Sequence, residues 1–183
     1  MKTIVRIALA AAAMVFTLQV NAQGFNLPKM FVTSTAFEDG GIIPDKYTSR
    51  GENVQPAFTI TGAPENTVSY AVIMHDIEVA IGGPGDVTHW VAFNIPSANI
   101  PEGSLPAGSV NGNNIRNMPG YMGSGAPYPD RYHHYVFEWY ALSENLDLPE
   151  GASRADVLAA MEGKVVGKAA IVGKYANTQA AAQ

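Results

Sequence analysis

All four histidines of this chain and two of its acids fall in three short segments: His75-Asp76-Ile77-Glu78, Thr88-His89-Trp90 and Tyr132-His133-His134-Tyr135. Imidazoles and carboxylates exchange protons, bind anions or hold metals, and each of these segments borders an apolar run of strand length. A β scaffold gathers side chains from distant parts of a chain around one hollow at such strand ends. In an extended chain Asp76 and Glu78 point the same way, so they could share a proton, hold a metal or orient hydroxyl and imidazole groups. The plainer reading makes them solvated loop acids and His89 a satisfied, partly buried histidine. His133 and His134 point to opposite faces, so at most one is expected to face the hollow.

Three kinds of chemistry are open to this set. A metal would need three or four of the histidines and acids at fitting distance, but no close His-x-x-x-His spacing is present and the ligands come from separate segments. A hydrolase could use Asp76, His89 and His133 with Ser124 as nucleophile, although Gly123-Ser124-Gly125 lacks the Gly-x-Ser-x-Gly elbow. In Gly123-Ser124-Gly125-Ala126-Pro127 the small residues could also let backbone N–H groups approach a phosphate or carboxylate, with Pro127 stiffening the loop. A simple surface turn remains the alternative for that loop.

The composition narrows the partners. Residues 1–22 have the parts of a secretory signal: Lys2 and Arg6, an apolar stretch from Ile7 to Leu18, and Val20-Asn21-Ala22 as a small-residue cleavage site. The apolar stretch falls short of the roughly 20 residues a bilayer span needs, so a cleaved signal and no transmembrane anchor are expected. The mature chain, residues 23–183, is then expected in the periplasm or outside the cell. It keeps 9 of the 11 Lys+Arg against 16 Asp+Glu, which moves the net charge from −5 to −7. An acidic chain without a basic run is a poor binder of nucleic acid. With no cysteine it has neither disulfides nor a thiol nucleophile.

The elements that must position these groups are mostly strands. Apolar runs at Met30–Thr35, Ala57–Thr61, Ser69–Met74, Trp90–Ile95, Tyr135–Leu142 and Ala169–Tyr175 alternate with Gly, Pro and Asn clusters. Tyr70–Met74, apolar throughout, is expected to be covered on both faces. Ser153–Glu162 reads as a helix capped by Ser153 and stopped by Gly163, with Val157, Leu158 and Met161 buried. No repeat or linker divides the chain, so residues 23–183 are expected to form one domain. The irregular stretch from Pro96 to Pro129 is long for a compact domain, as functional loops often are.

In order along the chain, these segments resemble the phosphatidylethanolamine-binding protein family, in its bacterial Raf-kinase-inhibitor-like branch. The resemblance runs from Phe31 to Tyr175. It is carried by Thr33–Gly41, Ile43-Pro44, Tyr47-Thr48, Gly51–Pro56 in place of Gly-x-Asn-x-Ser-Pro, and His75–Glu78 in place of Asp-Pro-Asp-Ala-Pro. His89-Trp90, Asn94-Ile95-Pro96, Gly120-Tyr121, Gly123–Pro127 and His133–Phe137 complete it. The resemblance implies a mainly β fold, an antiparallel β-sandwich with a few short helices.

It also implies a small pocket for anions and phosphorylated head groups, lined by Asp76, His89, His133 and the loop Gly123, Ser124, Gly125 and Pro127, with Glu78 and Tyr135 in support. Imidazolium and backbone N–H groups would donate to the anion while the acids orient the histidines. Both signature prolines are replaced, by Ile77 and by Ile81 or a neighbour; Val87, His134 and Lys164 also depart from the usual pattern, which bears on the ligand more than on the fold. The leading expectation is an exported, non-enzymatic binding protein that needs no cofactor. The alternatives are an inhibitor of an exported protease or other partner protein, acting through a mobile segment at Asn99–Asn117, and the hydrolase above.

Overall fold

The computed structural model describes residues 29–79, 84–128 and 130–177. The secretory signal expected over residues 1–22, Ile81 and the chain's last residues lie outside the described residues. Nine strands and one α-helix are present among them: β1 (Phe31–Ser34), β2 (Gly41–Ile42), β3 (Phe58–Thr61), β4 (Ser69–Asp76), β5 (Val87–Ile95), β6 (Asn99–Ile100), β7 (Val110–Gly112), β8 (His133–Leu142), α1 (Arg154–Ala160) and β9 (Val165–Tyr175). The fold is mainly β.

A three-stranded sheet has the order β1-β3-β6, and a six-stranded sheet the order β2-β9-β8-β4-β5-β7. The expectation of purely antiparallel sheets holds for the first and is corrected for the second, because β2 pairs parallel to β9 through Gly41 and Ile42. Two residues are too short a strand to announce themselves in sequence.

The order explains the apolar runs. β4 lies inside the larger sheet between β5 and β8 and is buried at every position, which is why Tyr70–Met74 lacks a polar face. On one face Val72, Met74, Trp90, Phe137 and Trp139 join Val32, Phe58, Ile60 and Ile100 of the smaller sheet in one apolar cluster. Phe58 stands at its centre, with its ring centroid 5.2 Å from those of Phe137 and Trp139. On the other face Ala71, Ile73, Val91 and Phe93 pack with Val157 and Met161.

The helix forms for the reason the sequence gives. Ser153 Oγ accepts from the backbone N–H of Asp156, whose carboxylate accepts from the Ser153 N–H, a reciprocal capping box. Gly163, at φ 75°, follows the helix in the left-handed region. The expected buried stripe is corrected at one position: Val157 and Met161 are buried, but Leu158 is 40 % exposed. One helix covers only the part of the sheet it crosses, and Leu158 faces away from it.

The stretch from Pro96 to Pro129 is less irregular than expected, since it contains β6 and β7. The Asn99–Asn117 segment is tied to β3 at one end and to β5 at the other. No helix among the described residues is long and apolar enough to cross a membrane.

Candidate functional site

The strand pairing brings the chemical segments together. Asp76 is the last residue of β4, and because β5 and β8 run antiparallel to it, their first residues arrive at the same sheet end. There Asp76 pairs with Val87 on one side and Tyr135 on the other. A bulge then places the key histidine. Met74 pairs with Trp90 and His75 with Thr88, so His89 is an extra residue in β5. A bulge re-aims side chains next to a site, and here it puts the His89 ring edge-on to Tyr135, with centroids 5.1 Å apart.

These residues border a cavity of about 330 Å³. Its lining includes Asp76, His89, Gly123, Gly125, Pro127 and Tyr135 from the sequence reading, together with Ser49, Val79, Val87, Ile115, Arg116, Met122 and Ala126. Glu78, Ser124 and His133 do not line it. His133 stands behind Asp76, and its Nδ1 meets Asp76 Oδ2 at 2.8 Å with both side chains buried. Ser124 is fully buried and its Oγ has no partner.

Asp76 and Glu78 come together across a turn rather than along an extended strand, and the plainer reading of solvated acids is corrected for Asp76, which is buried. The chain leaves the strand after Asp76, and Asp76 Oδ1 accepts from the Glu78 N–H at 3.0 Å. Glu78 instead grips His134, through its backbone N–H and its ring Nδ1, both at 2.6 Å. Burial pushes the Glu78 carboxyl up, but the two His134 hydrogen bonds and the nearby imidazoles outweigh it and hold it below the usual carboxylate range. Atoms of Asp76, Glu78 and His133 lie within 4.8 Å of one another, near enough to share a metal, yet each carboxylate already holds hydrogen-bond donors that an ion would displace.

The glycine loop also differs from expectation. The N–H groups of its two glycines are already engaged: Gly123 donates to Asn53 Oδ1 at 2.7 Å and Gly125 to Tyr135 Oη at 3.1 Å. The loop is seated so closely that a Cβ on Gly123 would lie 2.4 Å from the Tyr47 carbonyl oxygen. Its glycines serve close packing rather than an anion directly.

His89 is buried, and its Nδ1 faces the carbonyl oxygens of Met122 at 3.0 Å and Gly123 at 3.2 Å. Carbonyls only accept, so Nδ1 carries the hydrogen and Nε2 is the nitrogen left to the cavity. Burial pulls the His89 pKa below its ordinary value, more than those carbonyls and Asp76 raise it; the Arg116 charge lowers it further. The ring is therefore neutral at pH 7, where an imidazolium was expected. Burial also drives the Tyr135 hydroxyl far above its usual range, and the adjacent Asp76 charge adds to the effect.

Arg116 is the residue that sequence reasoning missed. It is the only Lys or Arg between Arg50 and Arg131, a cation standing alone in a Gly- and Asn-rich stretch. Apart from Ser49, the remaining side chains of the wall are apolar: Val79, Val87, Ile115, Met122, Ala126 and Pro127. The arrangement joins a buried polar end, one guanidinium and an apolar side, which suits a small amphiphilic anion.

Similarity to other proteins covers almost the same span. A family model described as phosphatidylethanolamine-binding protein matches residues 33–176. A UPF0098 protein of Methanothermobacter thermautotrophicus is 44 % identical over 154 residues, covering 80 % of this chain and 98 % of its own length. One from Aquifex aeolicus is 39 % identical over 153 residues, covering 80 % of this chain and 88 % of its own. Among solved structures, a phosphatidylethanolamine-binding protein homolog of Chlamydia trachomatis matches with a TM-score of 0.74 at 31 % identity, covering 80 % of this chain and 96 % of its own. YbcL of E. coli matches with a TM-score of 0.74 at 28 % identity, covering 80 % and 98 %.

Proposed function

The chain belongs to the phosphatidylethanolamine-binding protein family, and from that premise we propose an exported, non-enzymatic binding protein whose cavity takes a small oxyanion or phosphorylated head group. One observation carries this reading. Asp76, His89, Tyr135 and Arg116 converge from four separate parts of the chain on one cavity of about 330 Å³, whose remaining wall is mostly apolar. A head group enters the polar end and the guanidinium of Arg116 offsets its charge. The apolar wall accommodates what the head group is attached to.

The site favours binding over turnover. The serine of the hydrolase alternative is buried and away from the cavity, so its Oγ is not presented to a ligand there. Export rests on the charged, apolar and small-residue parts of residues 1–22.

Calorimetric titration with phosphate, phosphoethanolamine and acetate tests the reading. Saturable binding that His89→Ala weakens at least tenfold supports it. No binding of any of the three, or binding indifferent to His89, overturns it.

A further inference from the structure

The cavity's hydrogen-bonding groups also restrict which oxyanions fit, an inference that rests on the oxyanion reading above. We infer that the site selects oxyacids that bring their own proton, such as phosphate monoesters, over oxyanions that carry none, such as sulfate monoesters.

Around the polar end most of the protein's hydrogen-bond donors are already engaged. The N–H groups of Gly123 and Gly125 are held by Asn53 and Tyr135. The Ser49 hydroxyl donates to the Ser124 carbonyl at 3.2 Å. Tyr135 Oη accepts from Gly125, and its hydroxyl stands next to the Asp76 charge. What the inner wall offers a ligand is therefore mostly acceptors, the Asp76 carboxylate and the bare Nε2 of His89. The charged and titratable groups facing His89 are Asp76 from β4, Tyr135 from β8 and Arg116 from the loop after β7. Arg116 is an exposed cation on the lining, and among the described residues its side chain has no ion-pair partner.

A sulfate monoester has only acceptor oxygens at neutral pH. Against Asp76 and Nε2 it sets lone pair against lone pair, unless a solvent proton first enters the buried His89 ring beside Arg116. A phosphate monoester monoanion keeps one O–H, since its second ionisation lies near pH 6. That O–H donates to His89 Nε2 while the charged oxygens meet Arg116. A site with buried polar groups rejects an analogue that cannot pair with them, and this is the basis of the discrimination.

Phenyl phosphate and phenyl sulfate are matched probes, because the ring occupies the same apolar wall in both. In calorimetric titrations of the full-length protein at pH 6.5, phenyl phosphate binds at least tenfold more tightly than phenyl sulfate. Asp76→Asn, which replaces an acceptor with a group that also donates, brings the ratio towards one. Equal or tighter binding of phenyl sulfate by the unaltered protein overturns the inference while leaving the oxyanion reading in place. A ratio unchanged by Asp76→Asn overturns the role given to Asp76, and failure of both probes to bind overturns the oxyanion reading and this inference together.

Discussion

His133 Nδ1 and Asp76 Oδ2 lie 2.8 Å apart at the end of the larger sheet, both buried, and this contact holds the floor of the cavity. Asp76 also accepts from the Glu78 N–H. Asp76→Ala thus strands one buried and one partly buried donor at once. Each hydrogen bond to a charged group is worth about 1.5–3 kcal/mol, so the variant should lose about 3 kcal/mol or more of unfolding free energy in urea melts. A loss under about 1 kcal/mol would mean that the pair is not structural.

The loop seat offers a cleaner dissection. Asn53 sits at φ 57° while its side chain receives the Gly123 N–H. Asn53→Gly removes the hydrogen bond and keeps the backbone at ease, whereas Asn53→Ala removes the bond and strains the backbone as well. Denaturant melts should rank the wild type above Asn53→Gly and Asn53→Gly above Asn53→Ala, with roughly 1 kcal/mol per step. Equal stability of the two variants would show that the backbone conformation carries no cost.

The acid side of the stability profile carries a signature of His89. Burial keeps its folded pKa below the unfolded value, so below about pH 6.5 the unfolded chain binds a proton that the folded chain refuses. The stability present above pH 6.5 is lost as pH falls towards the folded pKa, by about 1.4 kcal/mol per pH unit in that window. Thermal melts from pH 7.5 to 5.5 should therefore fall more steeply for the wild type than for His89→Gln. Parallel profiles would contradict the neutral, buried ring.

Phe58 links the two sheets through Phe137 and Trp139. Phe58→Ala should cost about 3–5 kcal/mol, read as a lower denaturation midpoint with little change in slope. A cost below about 1 kcal/mol would mean that this contact does not join the sheets.

Much of this architecture was legible in the sequence, and the misses have physical causes. The long runs at Ser69–Met74 and Tyr135–Leu142 announce strands because burial leaves them few polar residues, and Ser153 with Asp156 announces its helix cap chemically. β2, β6 and β7 have two or three residues each, too few for a period to show. Asp76 and His89 stand out by residue type and by their places beside strands, and Tyr135 through the family resemblance. The bulge at His89 depends on how two strands pair, which no single strand records. Likewise, the glycine loop resembled an anion cradle until its N–H groups were seen to be held by Asn53 and Tyr135, partners 70 and 10 residues away. Arg116 had no neighbouring motif, and only its isolation among the cations marked it.

The most direct test of the central claim follows the imidazole NMR signals of all four histidines while phosphate and then phosphoethanolamine are added to the protein. His89 lines the cavity, whereas His75 pairs with Asp86 away from its lining and His134 with Glu78. Saturable shifts at His89, with a smaller response at His133 through Asp76 and none at His75 or His134, are the predicted result. An unmoved His89, or shifts of similar size at all four rings, would contradict the assignment of this cavity as an oxyanion site.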